Sequence, residues 1–414
     1  MVIEATRGAE PGTSDAALAG MTVLEDGGGI AVSYAGKLLA DLGADVIKVE
    51  APGGDEVRRQ SPFPADEPGR ERSGLHLFLD TNKRGVTLNV ECAAGRRLFR
   101  DLAQRCGLVI TSRHIAAQRE LGLTWEDLSA DAPDFNQVTI TVFGIGTQRE
   151  DWRAESLIAS LASGISFKIG DPDRQPLGLP YDAPQFQGGI HAAIAAILAR
   201  RATREDGLGQ HAWLSIVDII SNVMAGAGVA PFVFTGQARG RAGTHMNAFY
   251  PWQVTPVKDG YYEVITMVDR QWNRFMELLG DPDWQHDERL KNRWLAFQHT
   301  EELDAFWHPW MKERTRAELM ELFGENHISF QPVHTIGEVA DSEHLAAREF
   351  WAEIEHPEFE EPVRLPGAPY QLSESPWAIR RPPPRLGEHT EHVLSELCQS
   401  SRPQLARLRR ARVI

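Results

Sequence analysis

Cysteine is scarce in this 414-residue chain, and the three it has, Cys92, Cys106 and Cys398, lie far apart. Their separation excludes the short Cys/His spacings of a structural zinc site and offers no disulfide framework, so a reduced, cytoplasmic setting is expected. No apolar run reaches membrane-spanning length. The first twenty residues carry Glu4, Glu10 and Asp15 and lack the basic and apolar regions of a signal peptide. Gly27-Gly28-Gly29 is a glycine run without the Gly-x-Gly-x-x-Gly spacing of a nicotinamide dinucleotide site. A Gly-x-Ser-x-Gly hydrolase elbow is also missing, and there is no internal repeat. Positive charge is short: 43 Lys and Arg against 58 Asp and Glu give a formal net charge of −15. That balance argues against nucleic acid or an anionic membrane as partner, yet leaves room for a local basic pocket.

What is present is an alternation of short apolar strands and helical patterns over residues 21–160. Leu38, Leu39 and Leu42 recur at helical spacing, Gly43 provides a C-terminal cap, and Val46-Ile47 with Val49 suits a buried parallel strand. Further strands are expected at 21–24, 86–90, 108–111, 138–142 and 212–216, with helices at 95–106 and 188–202. This pattern predicts an α/β fold with a parallel sheet flanked by helices. Residues 1–20 read as a mobile tail. From about 226 the texture turns helical, acidic and aromatic, with Trp252, Trp272, Phe275, Trp284, Trp294, Phe297, Trp307 and Trp310, whose expected role is core or dimer packing. The expected division is therefore 1–225, 226–340 and a returning segment 341–414.

Five motifs in order carry a resemblance. They are the segment from Leu39 to Glu50 (LADLGADVIKVE), Asn82 to Leu88 (NKRGVTL), Leu121 to Leu128 (LGLTWEDL), Gly207 to Gln210 (GLGQ) and Leu386 to Thr390 (LGEHT). In this order the chain resembles the class III coenzyme A transferases, the CaiB/BaiF family, which includes formyl-CoA and carnitine CoA transferases and α-methylacyl-CoA racemases. The resemblance covers nearly the whole chain. It implies a Rossmann-like large domain built from both chain ends, a smaller middle domain, and an interlocked dimer. It also implies coenzyme A or an acyl-CoA as substrate together with a carboxylic acid, with no metal and no nicotinamide. The partner is a second copy of the chain or a second family member.

The same resemblance places Leu88, Asn89 and Val90 at the adenine end of coenzyme A. Lys83 and Arg84 are then either phosphate partners or a solvated surface pair. Ser112-Arg113 stands where the family has Asn-Phe, so Arg113 either replaces a phosphate contact or marks an altered site. The loop Phe143-Gly144-Ile145-Gly146 matches the family's glycine loop beside the pantetheine. The family's nucleophilic aspartate, four residues before a helix glycine, falls here on Gln185. An amide cannot form an acyl anhydride, though it can donate to a thioester oxygen. Asp182 is the nearby carboxylate, either a substitute nucleophile or a loop residue capping a helix or facing water. His191 is either a base or a packed helix histidine. Asp151 and Glu155, beside Trp152-Arg153, are the remaining acidic candidates. The chemistry left open is transferase, racemase-like isomerase, non-nucleophilic subunit of a heteromer, or thioester-binding protein.

Overall fold

Strand residues with apolar side chains on both faces need cover on both sides of a sheet, and this chain supplies it. The computed structural model describes residues 16–224, 228–238, 240–246, 249–280 and 286–414. The chain begins with β1 (Thr22–Asp26), α1 (Ile30–Asp41), β2 (Asp45–Glu50), α2 (Gly74–Leu79), β3 (Arg84–Thr87) and α3 (Ala93–Cys106). It continues through β4 (Leu108–Thr111), α4 (Ile115–Leu121), α5 (Trp125–Ser129), β5 (Asn136–Thr141), α6 (Ser156–Ala162), α7 (Ala183–Asp206), β6 (His211–Ser215) and α8 (Ile216–Val223). The six strands form one sheet in the order β3-β2-β1-β4-β5-β6. Every neighbouring pair is parallel, with Leu24 beside Ile47 on one side and Val109 on the other. The order reverses between β1 and β4, which makes the carboxyl ends of those two strands the natural ligand crevice.

Two compact units divide the chain. The first runs to Ser163, resumes at Leu179–Met224 and closes with Ala346–Ile414. Its core joins Leu24, Ile47 and Val86 of the sheet to Phe99 and Leu102 of α3, and to Val393, Leu394 and Leu405 from the chain's end. The second unit comprises Gly164–Gly178 and the stretch that ends at Leu345. Strands Trp252–Val257, Gly260–Ile265 and Ser329–Pro332 pair antiparallel there. Phe275, Trp307 and Phe323 are fully buried at its centre. Trp272 and Trp310 pack on that core, whereas Trp294 is mostly exposed and lies edge-on against Phe249. Trp284 and residues 1–15 lie outside the described residues.

Several strands are polar as well as apolar, and their charges are internal. Lys48 of β2 sits between Glu25 of β1 (3.0 Å), Asp55 (2.7 Å) and Asp80 (3.1 Å), all essentially without solvent contact. Lys83 pairs with Glu25 (2.7 Å) and Asp80 (2.8 Å) and donates to the Ser33 carbonyl (2.7 Å). Arg58 forks onto Glu50 and also donates to Glu71 and to Nε2 of His76. A guanidinium only donates, so His76 accepts at Nε2 and donates from Nδ1 to Asp80, the neutral tautomer. Gly36 makes room for this cluster under α1: a Cβ there would strike the Glu25 carboxylate. Burying so much charge is tolerable only because each group has an opposite partner at hydrogen-bonding distance.

The end of the chain completes the sheet. Edge strand β3 has its outer backbone groups covered by the Leu386-to-Thr390 motif: Gly85 N–H donates to Nδ1 of His389, and Thr87 N–H to the Thr390 hydroxyl. An uncovered edge would offer itself to another strand.

Candidate functional site

Helix α7 begins five residues earlier than its small-residue pattern suggests. Pro184 in its first turn explains the early start, because a missing N–H costs nothing there. Gln185 is thereby a first-turn residue, and Asp182 stands immediately before the helix. Asp182 adopts φ 55° and does not cap the helix with its side chain. Instead its Oδ1 accepts the Ser156 hydroxyl at 2.5 Å. Tyr181 also has positive φ, so two successive non-glycine residues are held in the left-handed region. Such strain persists where surrounding contacts over-determine it and gathers at functional sites.

Asp182 and Gln185 both line a cleft of about 550 Å³ that lies wholly within the first unit. The cleft opens at the carboxyl ends of the strands. Its walls come from Gly27–Gly29 after β1, Glu50 at the end of β2 with Ala51 after it, Ser112 and Arg113 after β4, and Thr141 at the end of β5 with Val142 after it. Gly54 to Glu56, Arg59, Gln60 and Trp152 to Glu155 add to it.

The glycine run is a structural part of this cleft, which its spacing did not reveal. Gly27, Gly28 and Gly29 have φ of 103°, 86° and 90°. At Gly27 a Cβ would strike the backbone nitrogen of Arg113. Gly29 N–H donates to Asp55 Oδ1 at 3.0 Å, and the Gly28 carbonyl accepts the Ser112 hydroxyl at 2.5 Å. The turn is thus held at both ends, directly before the amino terminus of α1, a position that favours anions. The usable signal was position, a glycine run between a first strand and a first helix.

Arg113 grips Asp26 with Nε (3.0 Å) and Nη2 (2.5 Å), and Thr111 supplies Asp26 a third bond of 2.9 Å. Its guanidinium is therefore fixed in the cleft floor with one edge already used. Burial alone would raise the Asp55 carboxyl, but the Lys48 ammonium beside it holds it below the ordinary carboxylate value. Glu56 goes the other way: burial pushes it up, and the negative charges of Asp55 and Glu155 add to the rise. Glu155, a weak candidate from sequence, lines the cleft with Glu56; Asp151 does not.

Other expected site residues fall elsewhere. Lys83 is neither a phosphate partner nor a surface cation, because its ammonium is enclosed by Glu25, Asp80 and the Ser33 carbonyl. Arg84 is held by Asp45 and Glu396 at the amino end of the sheet, remote from the cleft wall. Leu88 and Val90 turn their side chains into the core, while the N–H groups of Leu88 and Asn89 donate to Glu50 and Val413 carbonyls. They adjoin the cleft through Glu50 without lining it. Phe143 packs edge-on against Trp152. Gly144 and Gly146 donate to Thr141 and Glu150, and neither they nor Phe143 and Ile145 line the cleft. His191 faces along α7, its Nδ1–H donating to the Gln187 carbonyl at 2.9 Å, and is absent from the cleft.

Against known proteins, the family model described as CoA-transferase family III matches residues 18–390. The chain belongs to that family. It is 28% identical to the succinyl-CoA:(R)-benzylsuccinate CoA-transferase subunit BbsE of Thauera aromatica, over 88% of this chain and 90% of the relative. It is likewise 28% identical to the succinyl-CoA–D-citramalate CoA-transferase of Chloroflexus aurantiacus, over 95% and 96% of the two chains. Among solved structures, a CaiB/BaiF family protein from Brucella suis superposes with a TM-score of 0.82 at 26% identity, covering 92% of this chain and all of that one. CoA transferases of this family act on CoA thioesters, and the α/β fold with its parallel sheet is the family's own. Among the described residues, no helix is long and apolar enough to cross a membrane.

Proposed function

We propose that the chain is a CoA-thioester enzyme of the class III transferase type that moves coenzyme A between carboxylic acids. The observation that carries this reading is the shared cleft: Asp182, oriented by Ser156, and Gln185 line one cavity at the carboxyl ends of the strands. In this reading the glycine turn and the Ser112-Arg113 segment hold the CoA end of the substrate. The Gln185 amide donates to the thioester oxygen and stabilises its developing charge. The Asp182 carboxylate attacks the carbonyl carbon; the C–S bond breaks, its electron pair leaves on the CoA thiolate, and an acyl-aspartyl anhydride remains. The large domain from both chain ends, the smaller domain at 226–340, an interlocked dimer and a cytoplasmic location complete the proposal.

A second reading is favoured by two observations: the chain as the non-nucleophilic subunit of a heteromeric transferase. Relatives carry subunit names, among them the alpha and beta subunits of a succinyl-CoA–L-malate CoA-transferase from Chloroflexus aurantiacus, each 28% identical. Moreover, Leu157 and Leu161 of α6, Ile194 and Leu198 of α7 and Trp213 of β6 are exposed, an apolar surface suited to a partner chain. A racemase-like or purely thioester-binding role is the remaining alternative.

The test is incubation of the purified chain with an acyl-CoA and hydroxylamine. Conversion of Asp182 to its hydroxamate, by hydroxylamine attack on the anhydride with release of the carboxylic acid, together with loss of turnover, supports Asp182 chemistry. Coenzyme A binding by calorimetry with indifference to hydroxylamine overturns the nucleophilic reading and leaves the subunit reading standing. No binding of coenzyme A removes both.

A further inference from the structure

The motifs Asn82-Lys83-Arg84 and Leu386 to Thr390 meet at the end of the sheet opposite the cleft. With the first residues of β1, β2 and β3 they enclose a second cavity, of about 480 Å³, lined by Arg84, Arg380, Arg381, His389 and His392. Three arginines and two histidines thus converge in a chain whose formal net charge is −15. Part of that charge is already balanced. Arg84 is forked onto Asp45 and also bound to Glu396, and His392 Nε2 lies 3.5 Å from the same Glu396 carboxylate.

The remainder is balanced only in part, by the Asp41 carboxylate near Arg380. Among the described residues the Arg381 side chain has no hydrogen-bonding or ionic partner, and Arg380 reaches only the Asp41 and Ala378 carbonyls, at 3.4 Å each. His389 accepts Gly85 N–H at Nδ1, so a neutral ring carries its proton on Nε2, where no acceptor is present among the described residues. Burial pulls His389 below the ordinary imidazole value. Glu388 opposes that fall, while Arg381, Arg84 and His392 add to it, which places these cations around one ring.

The backbone that carries the arginine pair is held in place. Oδ1 of Asn82 accepts the backbone N–H groups of both Arg380 (2.6 Å) and Arg381 (3.1 Å). Its Nδ2 donates to Asp41 Oδ1 (2.7 Å) and the Ala378 carbonyl (2.8 Å). Two guanidinium forks and an imidazole N–H, presented from a clamped backbone, match the three terminal oxygens of a phosphomonoester.

We propose that this cavity binds a phosphate-bearing small molecule through Arg380, Arg381 and the Nε2–H of His389. The cavity is larger than a free phosphate ion needs, so the remainder of an organic phosphate fits beside the anion. The site is independent of the reading of the cleft.

Calorimetric titration of the full chain with inorganic phosphate and with glycerol 3-phosphate, at constant ionic strength in chloride, tests it. Glycerol 3-phosphate is expected to bind more tightly than phosphate, and both are expected to weaken roughly tenfold or more in Arg381→Ala, in line with loss of a charge-assisted contact. Arg381→Lys should recover part of the loss. Imidazole nitrogen resonances supply a readout without mutation, since the His389 signal should move on addition of either probe. No binding of either probe to the native chain, binding unaltered in Arg381→Ala, or a motionless His389 signal each overturns the proposal. Tighter binding of phosphate than of the ester would overturn the organic-phosphate assignment.

Discussion

The Ser156 hydroxyl donates to Asp182 Oδ1 at 2.5 Å, bringing the first residue of α6 to the residue that precedes α7. Asp182 lines the cleft, and its Oδ2 accepts no hydrogen bond among the described residues. Asp182→Asn should therefore abolish acyl transfer, lowering kcat by a factor on the order of 10³ or more, as expected for loss of a covalent nucleophile. Ser156→Ala keeps the carboxylate and removes its orienting bond. Hydrogen bonds to charged groups are worth about 1.5–3 kcal/mol, so kcat should fall roughly tenfold or more with KM little altered. Steady-state kinetics on both variants decide the matter; full turnover in Asp182→Asn would remove Asp182 from the mechanism.

Gln185 occupies the first turn of α7 and lines the same cleft, so a carboxylate placed there would face the same cavity as Asp182. Gln185→Asp should raise the rate of hydroxylamine trapping in the presence of acyl-CoA, because the new side chain can form the anhydride that an amide cannot. Mass measurement of the trapped protein locates the adduct. A variant that folds, binds coenzyme A and remains indifferent to hydroxylamine would show that this helix no longer presents position 185 to the thioester.

Much of the sheet was legible, and the reason is physical. Val46-Ile47 and Leu108 to Ile110 carry apolar side chains on both faces, a pattern that suits a covered parallel sheet, and Val138 with Ile140 gives β5 one apolar face. The start of α7 was not legible: Pro184 reads as a loop residue until its place in a first helical turn is known. Lys83 was misplaced because a charged residue in sequence defaults to the surface; only the three-dimensional meeting of Glu25, Lys48 and Asp80 explains its burial. Gly27 to Gly29 failed a motif test yet answered to geometry, since three successive positive φ angles need glycine whatever the spacing.

That turn gives the third prediction. Gly27→Ala places a methyl group against the Arg113 amide and imposes φ near 103° on a residue that resists it. Because Arg113 is fixed to Asp26 and Ser112 to Gly28, the strain cannot dissipate without moving the cleft floor. Coenzyme A affinity should drop by roughly tenfold, equivalent to about 1.4 kcal/mol, and calorimetry on a variant with native circular dichroism measures it. Unchanged affinity would separate the glycine turn from the ligand.

The internal ion cluster gives the last. Asp80 touches Lys48, Lys83 and His76, and although burial opposes its charge, those partners hold its carboxyl well below the ordinary value of 3.8. Asp55 is lowered in the same way by Lys48. In the unfolded chain both carboxyls titrate near 3.8, so the native state binds fewer protons as pH passes below that value. Their contribution to stability is complete above the unfolded value and is lost as pH falls through the lower folded values. Urea midpoints should accordingly hold from about pH 7 to about pH 5 and then decline below roughly pH 4. Asp80→Asn removes the centre of the cluster and leaves two buried ammonium groups short of a counter-charge, a loss of about 3–5 kcal/mol near neutral pH. The variant should also lose part of the acid dependence, since its amide takes up no proton. An acid slope identical to that of the native chain would mean that carboxyls other than Asp80 control acid unfolding.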